Sequence, residues 1–139
     1  MNLVDIVNDY NRQLRALKEA MSRNFQGELK TAFRAVFERH PNVRSLTWTQ
    51  YTPYFNDGDP CVFSVHDLEV YDETIQEADD DYTEGVDVGW GEGRARYPDI
   101  AEISGVLSNA EDLLLEMFGD HCRITVQADG ISVEEYDHD

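Results

Sequence analysis

The residues best suited to chemistry gather in one stretch. Thr47–Cys61 reads Thr-Trp-Thr-Gln-Tyr-Thr-Pro-Tyr-Phe-Asn-Asp-Gly-Asp-Pro-Cys, which sets four rings (Trp48, Tyr51, Tyr54, Phe55) beside the acids Asp57 and Asp59. Aromatic rings dominate binding hot spots, so this pattern suits a recognition surface. It equally suits rings that close the end of a core, with Asn56 and Asp57 bonding their own backbone around Gly58. Asp57 and Asp59, together with Asp120, His121 and His138, are also hard oxygen and imidazole donors of the kind that hold a cation. Against that, Asp57-Gly58-Asp59 lacks the length of an EF-hand loop, and no His-x-x-x-His or Cys-x-x-Cys pair occurs. Neither a metal nor another cofactor is expected.

Nucleophilic catalysis finds less support. Ser64, Ser104 and Ser108 stand outside any Gly-x-Ser-x-Gly frame. Cys122 follows His121 directly, but neighbours along a strand point to opposite faces, so the two do not form a dyad. Gly89, Gly91 and Gly93 resemble a phosphate cradle superficially, yet no lysine is near and Glu92 interrupts them. His40 and His66 read as ordinary surface or strand-end histidines. The expectation is a protein that is not an enzyme.

Charge points the same way. Residues 1–44 hold eight Lys/Arg and five Asp/Glu; residues 45–139 hold twenty-four acids and three arginines, Arg94, Arg96 and Arg123. The net charge is −18. Such a surplus speaks of partners and solubility rather than fold, and it excludes non-specific binding of DNA or anionic membrane by the C-terminal part. The run Glu77-Ala-Asp79-Asp80-Asp81 and the acids Glu134, Glu135, Asp137 and Asp139 fit a solvated face. They also fit a surface imitating a nucleic-acid backbone, on which carboxylates meet the basic groove of a nucleic-acid-binding protein. Self-repulsion of this size makes salt stabilising, because screening acts over about 8–10 Å at physiological ionic strength.

The elements that position these residues follow from periodicity. Leu3, Ile6, Val7, Tyr10, Leu14, Leu17, Met21 and Phe25 make one helical stripe, which resumes at Leu29, Ala32, Phe33, Val36 and Phe37. An unbroken helix to His40 would be about 55 Å long, more than a small sheet covers, so a break near Asn24–Gly27 is expected. Otherwise part of the stripe faces another chain, as in a homodimer through the N-terminal helix. Val43–Thr52 and Cys61–Tyr71 read as a hairpin with a long loop, and 72–92, with nine acids and no Lys or Arg, as a mobile connection. Pro98-Asp99 opens a second helical stretch. Ser108-Asn-Ala-Glu111 reads as a capping box, so this stretch divides near Leu107, and Gly119 ends it. Cys122–Ala128 and Ile131–Tyr136 form a hairpin around Asp129-Gly130, the type I′ dipeptide.

The expected architecture is therefore a single α+β domain over residues 1–139: a helical arm (1–40), a hairpin (43–71), an acidic loop (72–97), and a helix plus hairpin (98–139). The two hairpins form a four-stranded antiparallel sheet with helices on one face. Two cysteines are too few for a disulfide scaffold, and Cys61 and Cys122 read as small buried side chains at strand starts, able to pair only if those strands are neighbours. No apolar run reaches the ~18–20 residues of a spanning helix, and the N-terminus lacks the basic region of a signal peptide, so a cytoplasmic location is expected.

The run Trp-Thr-Gln-Tyr-Thr-Pro-Tyr-Phe-Asn-Asp-Gly-Asp-Pro-Cys-Val-Phe-Ser-Val (48–65), Phe-Gly-Asp-His (118–121) and the ending Val-Glu-Glu-Tyr-Asp-His-Asp (133–139) resemble a family of small proteins of phage and prophage genomes. The likeness extends from the first strand to the C-terminus. It implies a phage-type origin and brings with it no catalytic residue. The combined expectation is a non-enzymatic acidic binding protein. Its partner would be a protein, a basic host factor, met through Trp48, Tyr51, Tyr54, Phe55, Asp57 and Asp59 together with Asp79, Asp80 and Asp81. A self-associating accessory module and a metal-dependent enzyme at Asp57, Asp59 and His121 are the alternatives.

Overall fold

The computed structural model describes residues 2–54, 58, 60–75 and 85–136. Its first element, α1 (Leu3–Arg39), is one unbroken helix of 37 residues. Asn2 caps it, its side-chain oxygen accepting from the Asp5 amide at 2.9 Å. The expected break at Asn24–Gly27 is absent. A single glycine costs a helix about 1 kcal/mol, less than the orphaned amides and carbonyls that a break would create. Excess length is resolved by overhang: residues 3–21 carry no buried side chain, and burial along the helix begins at Ser22 and continues at Leu29, Phe33 and Val36. The chain leaves α1 at His40, ahead of Pro41.

The sheet has six strands rather than four: β1 (Val43–Tyr51), β2 (Ser64–Val65), β3 (Glu69–Asp72), β4 (Val86–Asp87), β5 (Cys122–Gln127) and β6 (Gly130–Glu135). All pairings are antiparallel, in the order β4-β3-β1-β5-β6, with β2 beside the far end of β1. The expected strand Cys61–Tyr71 exists as two pieces, β2 and β3, because helix side chains intervene between them. Ser104 Oγ accepts the Leu68 amide at 3.0 Å and Glu111 Oε2 accepts the Val65 amide at 2.8 Å. Cys61 lies outside any strand and is exposed; Cys122 is buried, and both thiols are free, so the disulfide does not form. The acidic 72–97 stretch, expected as a loop, contains β4 and a short helix, α2 (Gly91–Arg96). Gly93 lets α2 lie directly on β4: a Cβ there would sit 2.0 Å from the Asp87 carbonyl oxygen.

Two further helices, α3 (Pro98–Ser108) and α4 (Glu111–Phe118), divide where expected, but not through a capping box. Ser108 Oγ turns back to the Ser104 and Gly105 carbonyls, Glu111 is engaged with β2, and the N-cap of α4 is Ala110. The final hairpin pairs Gln127 with Gly130, so its turn residues are Ala128 and Asp129 rather than Asp129-Gly130. Neither has the positive φ that a type I′ turn requires.

Alternation along the strands puts the core on one face. Val70, Leu46 and Val126 lie side by side, as do Trp48 and Ile124, and the docked part of α1 with α3 and α4 covers them. Trp48 packs against Phe33 and Phe118, ring centroids 6.1 and 5.9 Å away. Gln50, fully buried in this apolar face, donates to the carbonyls of Leu114 (3.0 Å) and Gly119 (2.8 Å) and accepts from Trp48 Nε1 (3.0 Å). Every polar atom of that amide is thus satisfied, as burial demands.

Candidate functional site

The second face of the sheet carries the unusual groups. Where β1 ends and β5 begins, Asp120 ties the two together: it accepts the Thr52 amide (2.8 Å) and hydroxyl (2.7 Å) and the His121 amide (2.9 Å). Gly119, at φ +91°, makes the turn that presents it. His121 follows at φ +52°, the one non-glycine described residue with a positive φ, and such strain concentrates at functional positions. Its ring lies flat on Tyr54, centroids 4.7 Å apart. Nε2 is 3.8 Å from Asp120 Oδ1, while Nδ1 is buried without a hydrogen-bond partner.

A second tier of rings adjoins this corner. Tyr51 stacks on His66 (4.5 Å) and leans on Tyr136 (5.6 Å), and the Arg123 guanidinium sits 5.0 Å above the Tyr136 ring while reaching toward Glu134 at 3.8 Å. Tyr136 is anchored by its amide, which donates to the His121 carbonyl at 2.8 Å. Two tiers of stacked rings, one with a guanidinium over it, make a surface suited to flat or cationic groups of a partner.

Burial and hydrogen bonds shift three groups here. Burial alone would raise the Asp120 carboxyl, but its bonds from Thr52 and His121 outweigh that and hold it below the usual 3.8. Its three donors make Asp120 the anchor that joins the end of β1 to the start of β5. Burial, then the charges of Asp120 and Glu135, push the Cys122 thiol up, away from the thiolate that a nucleophile needs. Burial followed by Tyr136 likewise raises Tyr51. Among the described residues no group of three metal-ligating side chains converges.

The structure distributes the residues expected to form the site. Trp48, 1% exposed, belongs to the core and cannot meet a partner. Tyr51, nearly buried, is on the opposite face, within the ring tier; Tyr54, 63% exposed, lies at the corner. Phe55, Asp57, Asp59, Asp79, Asp80 and Asp81 lie outside the described residues, as does His138. His66, Arg123 and Tyr136 enter the site without having been expected there. For Tyr136 and Arg123 the signal was present in the final hairpin, whose outward alternation puts both beside the end of β1. His66 joins through the irregular stretch between β2 and β3, which alternation does not encode.

A separate groove of about 480 Å³ opens between α1 and the β5–β6 hairpin. Phe33, Phe37, Val126 and Ile131 form its floor, and Lys30 and Arg34 stand at the helix side. Among the described residues neither cation has an ion-pair partner. Comparison with known proteins returns nothing: no family model matches the chain, and no curated protein or solved structure resembles it at significance. No helix among the described residues is long and apolar enough to cross a membrane.

Proposed function

We propose that this chain is a non-enzymatic binding protein whose acidic domain engages a basic protein surface, of the kind that otherwise holds nucleic acid. The observation that carries the reading is uncompensated acidity. Across residues 45–139 three arginines face twenty-four acids, and two of the three are engaged inside the fold. Arg96 pairs with Glu92 at 2.6 Å and lies 3.7 Å from the buried Asp72; Arg123 is held between Glu134 and Tyr136. Exposed carboxylates, among them Glu73, Glu102, Asp112, Glu116, Asp129 and Glu135, can therefore meet outside cations, and the exposed rings of Tyr54 and His66 offer arginine side chains a flat surface. The phage-type resemblance fits a partner that is a host protein.

The test is affinity capture from host lysate on the immobilised full chain at 50 mM and at 500 mM NaCl, with duplex DNA as competitor. The reading expects a basic nucleic-acid-binding protein that is retained at low salt, released at high salt, and displaced by DNA. Capture of no basic protein at low salt, or of one that DNA leaves in place, defeats it.

A further inference from the structure

We infer that the exposed arm of α1, residues 3–21, is an antiparallel pairing surface for the same arm of a second copy of this chain. The inference does not depend on the basic-partner reading, since it concerns a different surface. Two periods coexist along one helix. Leu3, Val7, Tyr10, Leu14, Leu17 and Met21 are separated by four, three, four, three and four residues, the 3.5-residue repeat of a coiled-coil seam. From Met21 the stripe continues at Phe25, Leu29, Phe33 and Val36, in steps of four, four, four and three, close to the period of a helix lying on a globular core. The second part is docked on the sheet; the first is bare. Leu3 is 80% exposed, Val7 55%, Tyr10 64% and Leu17 58%, and Val4 and Ile6 widen the apolar strip at its tip. A helical projection of about 28 Å with its apolar side in water is a poor end state for a lone chain.

The seam matches itself when reversed. With Leu3 of one copy at the level of Met21 of the other, Val7 meets Leu17 and Tyr10 meets Leu14, so every apolar position has an apolar partner. At the exposures observed, the six seam residues present at most roughly 1,400 Å² over two copies for burial, an upper limit that reaches the ~1,200–2,000 Å² of stable interfaces.

Charge selects the antiparallel direction. Residues 2–10 carry only Asp5 and Asp9, net −2, whereas residues 11–23 carry Arg12, Arg15, Lys18 and Arg23 against Glu19, net +3. Reversal lays the acidic tip of each arm along the basic stem of the other. It also places the two strongly acidic domains at opposite ends. The Ser22 positions, where the domains begin, are then about 30 Å apart, more than three times the ~8 Å screening length at physiological salt. A parallel pair would bring those domains within roughly 10 Å of each other.

Sedimentation of the full chain at about 50 μM in 150 mM NaCl tests the pairing, with Leu14→Glu as the variant, because Leu14 lies in the bare segment and the core does not depend on it. The inference expects a dimer, and for Leu14→Glu a monomer whose near-ultraviolet dichroism is unchanged. Direction is read by spin labels on Arg23→Cys in a Cys61→Ser background. An antiparallel pair separates the labels by about 33 Å or more along the axis, a parallel pair by less than about 20 Å. A monomeric wild type, a dimer that survives Leu14→Glu, or a short label distance each overturns the inference.

Discussion

Replacing Gln50 with leucine should be among the most damaging single changes in the sheet, and its size can be worked from three distances. The Gln50 amide bridges the Leu114 carbonyl (3.0 Å), the Gly119 carbonyl (2.8 Å) and the Trp48 indole N–H (3.0 Å) at a position with no solvent access. Leucine leaves the indole N–H and the Gly119 carbonyl without partners, at about 1–3 kcal/mol each. The added apolar burial returns about 1 kcal/mol. The net loss is about 1–5 kcal/mol, and for a urea slope near ~1.5 kcal/mol/M the midpoint falls by roughly 0.7–3.3 M. Fluorescence reports the transition well, since Trp48 is buried in the core and Trp90 is 72% exposed. The same bridge holds Gly119, and through it the Asp120–His121 corner, to the end of β1. Amide exchange at Thr52, whose N–H is bonded to Asp120, should therefore accelerate in Gln50→Leu. A loss below about 0.5 kcal/mol with Thr52 exchange unchanged would refute the role given to this bridge.

Asp72, Asp99 and Asp120 are all held below the ordinary 3.8 despite burial: Asp72 by Thr74, Tyr97 and Arg96, Asp99 by His40 and Arg39, and Asp120 by Thr52 and His121. Their stabilisation is complete above about pH 4 and is lost as pH falls through their lower folded values. Asp72→Asn should thus shrink the drop in urea midpoint between pH 4 and pH 2. Gly27→Ala, at a helical site where a Cβ meets nothing within 4 Å, should stabilise the chain by about 1 kcal/mol in the same assay. Gly93→Ala should destabilise it by at least 2 kcal/mol (roughly the scale of overpacking), because its methyl group would collide with the Asp87 carbonyl. With a net charge of −18, the melting temperature should rise between 20 and 200 mM NaCl (spanning about three-fold in screening length), as calorimetry can check.

The α+β class, the extent of α1 to the His40-Pro41 boundary, β1, the Pro98 start of α3 and the final hairpin were legible because each depends on local periodicity or on proline. Missed features depend on contacts distant in sequence. The interruption between β2 and β3 arises from Ser104 and Glu111, dozens of residues downstream. α2 and β4 form inside an acidic stretch because Gly93 allows a close approach that composition does not reveal. The expected break in α1 came from counting length against the sheet, whereas the helix keeps its length by leaving the domain. At the site, Trp48 was open between a recognition ring and a core ring, and it is a core ring: alternation placed it on one face of β1 but not which face the helices cover. Pattern likewise gave Tyr51 and Tyr54 without their neighbours, since His66, His121 and Tyr136 are joined to them only by the folded sheet.

The central claim, attraction of a basic surface by an uncompensated acidic one, is tested most directly by the salt dependence of the dissociation constant for the captured partner between 50 and 500 mM NaCl. Several carboxylate–cation contacts predict a log–log slope of at least about 3 in magnitude, a weakening of about a thousand-fold over that tenfold range. An affinity that stays constant across the range would contradict it.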